Sequence, residues 1–225
     1  MKKIITILFT IFFVPSISFA VPKYYIEGQI NYNQVDDVDT NTYSGSSGGF
    51  TFTNLKGTLD YDSDIGYGFE FGASGLFDND NLRLGLSYVK NEIELKKATG
   101  SGTVSDGSTT VNFAVSADRS DLNSIGLSFD NDVDVYSLNA YYDFNAVNGF
   151  RPFLGAGIGQ ADIQNAKDKE LAMSLYAGGR YSINENTYVG VKGTYMRVDG
   201  PEDKLGIKFD DITMYGITLS VGYQF

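Results

Sequence analysis

From Tyr215 to Phe225 every second residue is large and apolar: Tyr215, Ile217, Leu219, Val221, Tyr223 and Phe225. Between them stand Gly216, Thr218, Ser220, Gly222 and Gln224. Strand side chains alternate between two faces, so this segment predicts a strand with one greasy face and one small or polar face. A helix would scatter the same residues around its axis. Seven further segments carry the same alternation: 24–32, 65–74, 82–88, 136–144, 151–159, 171–181 and 189–195. In the second, for example, Ile65, Tyr67, Phe69 and Phe71 alternate with Gly66, Gly68, Glu70 and Gly72.

The connections between these segments alternate in length. Asp78-Asn79-Asp80-Asn81, Asn145 to Gly149 and Asn184-Glu185-Asn186 are tight, Asx-rich turns. The others are longer or more acidic, near 36–61, 96–132, 165–170 and 200–211. Short turns on one side and long loops on the other predict an all-β fold, an eight-stranded antiparallel up-and-down transmembrane β-barrel. An even strand count returns both termini to the short-turn side. Within 96–132, Val111, Phe113, Val115 and Ala117 alternate, as do Ile125, Leu127 and Phe129, with Asp118 to Asn123 reading as a turn. These runs predict a hairpin projecting above the membrane; the alternative is two more membrane strands, ten in all. Phe50 to Phe52 and Leu55 to Tyr61 read as an outward extension of the second strand.

Alternation alone does not say which face is inside. A soluble lipocalin-like barrel would turn the apolar face inward. Three features favour apolar side outward: rings at strand ends (Tyr24, Tyr32, Tyr88, Phe144, Tyr181, Tyr195), the terminal Phe225, and the opposite face itself. That face carries Glu27, Glu70, Arg83, Asp143, Arg151, Arg180 and Lys192, of mixed sign and spread over seven strands. Such charges can pair across a narrow lumen, either as a polar plug or gate or as a packed structural core. The packed core is the expectation, since an eight-strand interior is just wide enough for side chains to fill.

Composition narrows the chemistry. The chain has 225 residues and no His, Cys or Trp. Without imidazole or thiol there is no Ser–His machinery, no cysteine nucleophile and no thiolate zinc site, so an enzyme is not expected. A net charge of −11 argues against nucleic acid as a partner. Twenty-six Gly, 16 Tyr and 16 Phe fit strands and turns. Acidic clusters in the loops (Asp36, Asp37, Asp39, Asp60, Asp62 and Asp64; Asp106, Asp118, Asp121, Asp130, Asp132 and Asp134; Glu202, Asp203, Asp210 and Asp211) lack a calcium-loop pattern and read as solvated surface. No metal or cofactor is expected.

The first twenty residues read as an address. Lys2 and Lys3 precede the apolar run Ile4 to Val14, and Ser18-Phe19-Ala20 presents small residues for cleavage before Val21. The expected division is therefore a signal peptide, 1–20, and a barrel, 21–225, with long extracellular loops near 36–61 and 96–132.

Two segments resemble a known family. Arg151-Pro152-Phe153-Leu154-Gly155-Ala156-Gly157-Ile158-Gly159 is similar to a strand of the opacity-protein and surface-antigen type of small outer-membrane barrels of Gram-negative bacteria. The closing strand ending in Tyr-Gln-Phe resembles the segment read by the barrel-assembly machinery. In that reading Tyr215, Ile217, Leu219, Val221, Tyr223 and Phe225 form the C-terminal assembly signal. The resemblance implies a monomer in the bacterial outer membrane, contacting lipid, lipopolysaccharide and the assembly machinery. It further implies an adhesin or antigen whose loops meet host surface or matrix proteins. A small pore and a purely structural barrel are the alternatives.

Overall fold

The computed structural model describes residues 22–77, 79–124, 131–204 and 206–225. The leader, Asp78 and the run Ile125, Leu127 and Phe129 lie outside the described residues. Strands β1 (Lys23–Val35), β5 (Asp64–Leu76), β6 (Asn79–Ser105), β8 (Asn131–Asp143), β9 (Phe150–Ile163), β10 (Glu170–Ser182), β11 (Thr187–Val198) and β12 (Ile212–Gln224) contain the eight alternating segments. Each pairs antiparallel with two neighbours in the order β1-β5-β6-β8-β9-β10-β11-β12, and β12 returns to β1. The ring is therefore eight strands and not ten.

Burial decides the orientation of the faces. Ile217, Leu219 and Val221 are each about 60% exposed on the outside. On the opposite face of the sheet, Glu70 of β5 and Asp143 of β8 are fully buried. Rings gather on the outer face in two belts. Tyr88 meets Phe69 and Tyr136, and Tyr195 meets Tyr215, toward the long-loop end. Tyr24 stacks on Phe71 and Phe225 at the other end, beside the chain terminus.

Four strands outside the ring build on β6. Its 27 residues run well past the barrel. There it pairs with β4 (Phe50–Asp62) on one side and β7 (Thr110–Asp118) on the other. Strands β2 (Val38–Asp39) and β3 (Tyr43–Ser47) add to the far edge of β4. β4 leads into β5 along the same partner, so the outward extension of the second strand is present. The partner expected for Val111 to Ala117 is corrected. This run pairs with Ala98 to Val104 of β6, and Arg119–Ser124 forms a short helix, α1, instead of a turn. Alternation marks a strand but carries no information about which strand it joins.

Candidate functional site

The lumen is filled in three tiers. The tier toward the short turns is ionic. Arg83 stands at its centre, its guanidinium stacked 3.8 Å from the centroid of the Tyr141 ring. Its Nε and Nη2 donate to Asp143 at 3.3 and 3.4 Å, and Nη1 donates to Glu70 at 3.4 Å. Glu70 also accepts from the hydroxyls of Tyr25 (2.5 Å) and Tyr141 (2.7 Å) and from the amide of Asn139 (2.8 Å). Asp143 receives a further bond from Arg180 at 2.5 Å. Glu27 accepts from Tyr188 at 2.9 Å, while Lys192 donates to Gln29 at 3.1 Å. Three buried carboxylates thus share the space with three buried cations, and the tier is formally neutral. Neutrality matters because an unpaired ion in this setting would cost several kcal/mol.

Narrow strands make this packing possible. A Cβ at Gly85 would stand 2.5 Å from Glu70 Oε1 and 2.6 Å from the Tyr25 hydroxyl, so only a bare backbone passes the network there.

Six of the seven charges read from the sequence (Glu27, Glu70, Arg83, Asp143, Arg180 and Lys192) enter this tier. Arg151 does not. It lies on the same face but nearer the short-turn mouth, half-buried and without a bond to Glu27, Glu70 or Asp143. The reading of a seven-membered network is corrected in that respect: parity gives the face of a residue but not its depth. The sequence reading also missed the tyrosines that complete the tier. Tyr25, Tyr141 and Tyr188 each donate to a carboxylate of the tier, and Tyr25 and Tyr141 already stood on the polar parity.

Above the ionic tier is an amide layer. Asn31 and Asn33 both donate to Asn91 Oδ1 at 2.6 Å, and Ser87 and Ser137 share a bond of 2.7 Å. A cavity of about 40 Å³ opens here beside Lys192 and Thr218. It has room for roughly one water.

The top tier is apolar. Val35, Ile93, Val133, Val135, Ile163, Met196, Val198, Ile212 and Met214 point inward at the long-loop end of their strands. Val38 of β2 closes over them, and Tyr61, Ala166 and Phe209 from three loops pack against the layer. Backbone bridges stitch these loops together: Thr40 with Phe209, and Ala166 with Asp203. The barrel mouth is capped by the chain itself.

Beyond the cap stands the projecting sheet. Between Asp60 and Tyr61 the β4–β6 register shifts, because Leu95 and Lys97 oppose successive residues of β4. The extra residue exchanges parity along β6. Tyr61, opposite Leu95, faces the apolar tier, and Leu59, opposite Ala98, then shares its side. From there Phe52, Leu59, Gly100, Val104, Phe113 and Val115 fall on one face by register. Val111 and Val115 on that face are 51% and 61% exposed. The other face is a ladder of hydroxyl and charged residues, with Thr53 opposite Thr103, Thr58 opposite Thr99 and Lys97 opposite Asp118. The sheet is amphipathic and its apolar side is open.

Several of the acidic loop residues are engaged in pairs. Lys56 contacts Asp39 at 2.6 Å, Lys90 contacts Asp132 at 2.7 Å, Lys96 contacts Asp60 at 3.5 Å, and Arg197 bonds Asp211. Among the described residues no group of three or more His, Cys, Asp or Glu is placed to hold a metal ion.

The tip of the β6–β7 hairpin is held by Asp106. Its Oδ1 accepts from the Thr109 amide (2.7 Å), the Ser108 amide (2.9 Å) and the Ser108 hydroxyl (2.8 Å). These bonds, the Thr109 amide foremost, hold its pKa below the ordinary value. A depressed acid stabilises the turn at neutral pH and stops doing so as pH falls through the lowered value. The amide NMR shifts of Ser108 and Thr109 are accordingly expected to stay constant through about pH 3.9, where a free Asp titrates, and to move together only below it.

The profile of the family described as "Outer membrane protein beta-barrel domain" matches residues 4–225. Among solved structures, the chain is similar to Neisserial surface protein A, with 12% identity and a TM-score of 0.51 over 90% of this chain and 97% of that one. It is also similar to the outer membrane protein OprG from Pseudomonas aeruginosa, with 15% identity and a TM-score of 0.50 over 92% and 97% of the two chains. At these identities the likeness is one of fold. No curated protein matches the sequence.

Proposed function

We propose a surface-recognition role for this chain, which belongs to the outer-membrane β-barrel protein family and so sits in the bacterial outer membrane. In this reading the barrel is an anchor with a filled lumen, and the projecting sheet is the working part, an adhesin or antigen surface. One observation carries the proposal: the long loops fold into an ordered, amphipathic sheet whose apolar face is left open above a capped barrel. Contiguous exposed apolar surface marks an interaction site, whereas apolar residues exposed singly do not. Among the described residues the outer edges of β3 and β7 have no strand partner, which suits strand addition. The partner class is host surface or matrix protein. Lipid and lipopolysaccharide surround the barrel, and the β12 strand from Tyr215 to Phe225 serves as the assembly signal.

The test uses intact cells displaying the full-length protein, probed against immobilised host surface and matrix proteins. Val115→Asp, on the apolar face, is expected to abolish adhesion. Ser116→Asp, its neighbour on the hydroxyl face, is expected to leave adhesion near wild type at equal surface expression. Equal adhesion of both variants, or none by the parent protein to any member of the panel, would sink the sheet as the recognition surface.

A further inference from the structure

The ionic tier leaves one cation over. In the β9–β10 register Arg151 lies directly opposite Arg180, both on the lumen side. Like charges directly opposite one another destabilise a strand pair unless something compensates them. Arg180 is compensated by Asp143. Arg151 has no hydrogen-bond or ion-pair partner among the described residues, although its side chain is half removed from water.

The surroundings of Arg151 are concave and polar. At the short-turn mouth a recess of about 260 Å³ is lined by Arg151, Arg180, Lys23, Asp80, Ser182 and Gln224. Three cations face one carboxylate. The other donors nearby are committed elsewhere: the Gln224 amide donates to Ser74 at 2.6 Å and the Tyr188 hydroxyl to Glu27. Arg180 is paired with Asp143, which leaves Arg151 and Lys23 as the recess cations without an ion-pair partner among the described residues.

We infer that this recess binds an oxyanion, phosphate or carboxylate, with Arg151 as the main ligand and Lys23 and Ser182 flanking it. A guanidinium presents a planar fork that matches two oxygens of either group. A half-buried cation also gains more from a counter-ion than a solvated one, because the local dielectric is lower. The recess is several times the roughly 30 Å³ that a water occupies, so the oxyanion can be carried on a larger molecule. In barrels with this loop asymmetry the short turns face the periplasm. The ligand therefore comes from the cell-wall side, and the site is independent of the sheet at the opposite end.

The experiment is calorimetric titration of the full-length barrel, refolded in zwitterionic detergent, with inorganic phosphate and separately with acetate. Saturable binding in the millimolar range is expected. It should weaken by about tenfold in Arg151→Gln, weaken less in Arg151→Lys, and stay unchanged in Arg197→Gln at the opposite end. Saturation by phosphate alone assigns a phosphate ligand, by acetate alone a carboxylate, and by both the shared oxyanion chemistry. Heat-dependent gel migration confirms that each variant is folded. Absence of saturation with either anion, or an isotherm unaltered by Arg151→Gln, would overturn the assignment.

Discussion

Replacing Arg83 with Met is expected to destabilise the folded barrel by about 3–5 kcal/mol, the usual consequence of removing one partner from a buried ion pair. Within the ionic tier Arg83 is the cation that bridges two carboxylates, with Asp143 held by two of its nitrogens and Glu70 by a third. Its removal leaves Glu70 with three neutral donors and Asp143 with Arg180 alone. It also vacates the space over the Tyr141 ring. Arg180→Met should cost less, because Asp143 retains both bonds from Arg83. The measurement is the urea midpoint of refolded protein in micelles, with the temperature at which the compact gel band disappears as a second readout. Neutralising the carboxylates together with the guanidinium (Arg83→Met, Glu70→Gln and Asp143→Asn) should recover part of the loss. Equal midpoints for Arg83→Met and the parent would refute the central role of Arg83.

The second large effect concerns ion flow. The wild-type protein is expected to carry no steady current in planar bilayers, because two barriers of different kinds stand in series. The ionic tier blocks by filling the cross-section with side chains. The apolar tier blocks by excluding water, so that an ion would have to shed its hydration to pass. Opening the lower barrier alone, with Arg83→Ser and Arg180→Ser, should therefore leave the bilayer silent. Adding Val133→Ser and Met214→Ser, both from fully buried positions in the apolar tier, should produce discrete conductance steps. Steady flow through the parent, or steps of equal size in the lower-tier variant alone, would remove the series arrangement.

Much of this architecture is legible in the sequence. The eight strands, the tight Asx turns and the outward direction of the apolar face follow from period-two alternation and the position of the rings. Glu70, Arg83 and Asp143 can be assigned to the lumen because charges on a face opposite lipid have nowhere else to go. The apolar tier was not legible. Val35, Val133, Ile163, Val198 and Ile212 occupy lumen parity just beyond the alternating segments, where the pattern runs into loop sequence and polar spacing no longer flags the inside. The projecting sheet was half legible. Val111 to Ala117 announced a strand, but its partner is set by how far β6 continues, and the extra residue near Lys96 exchanges the faces in a way that spacing cannot foretell. The excess charge on Arg151 required depth along the barrel axis, which one-dimensional parity does not contain.

The pairing of β1 with β12 joins the first strand to the last. Every other seam of the ring unites strands that follow one another around the barrel as they do along the chain, so each can form by local folding soon after its two strands exist. The β1–β12 contact has the largest sequence separation in the fold, and the entropy of closing so long a loop falls on that one event. Until it happens, both edges carry unpaired backbone groups that hydrocarbon cannot solvate. Assembly therefore resembles a zipper with a final clasp: seven seams accumulate gradually, and entry into the bilayer as a stable body waits on the eighth.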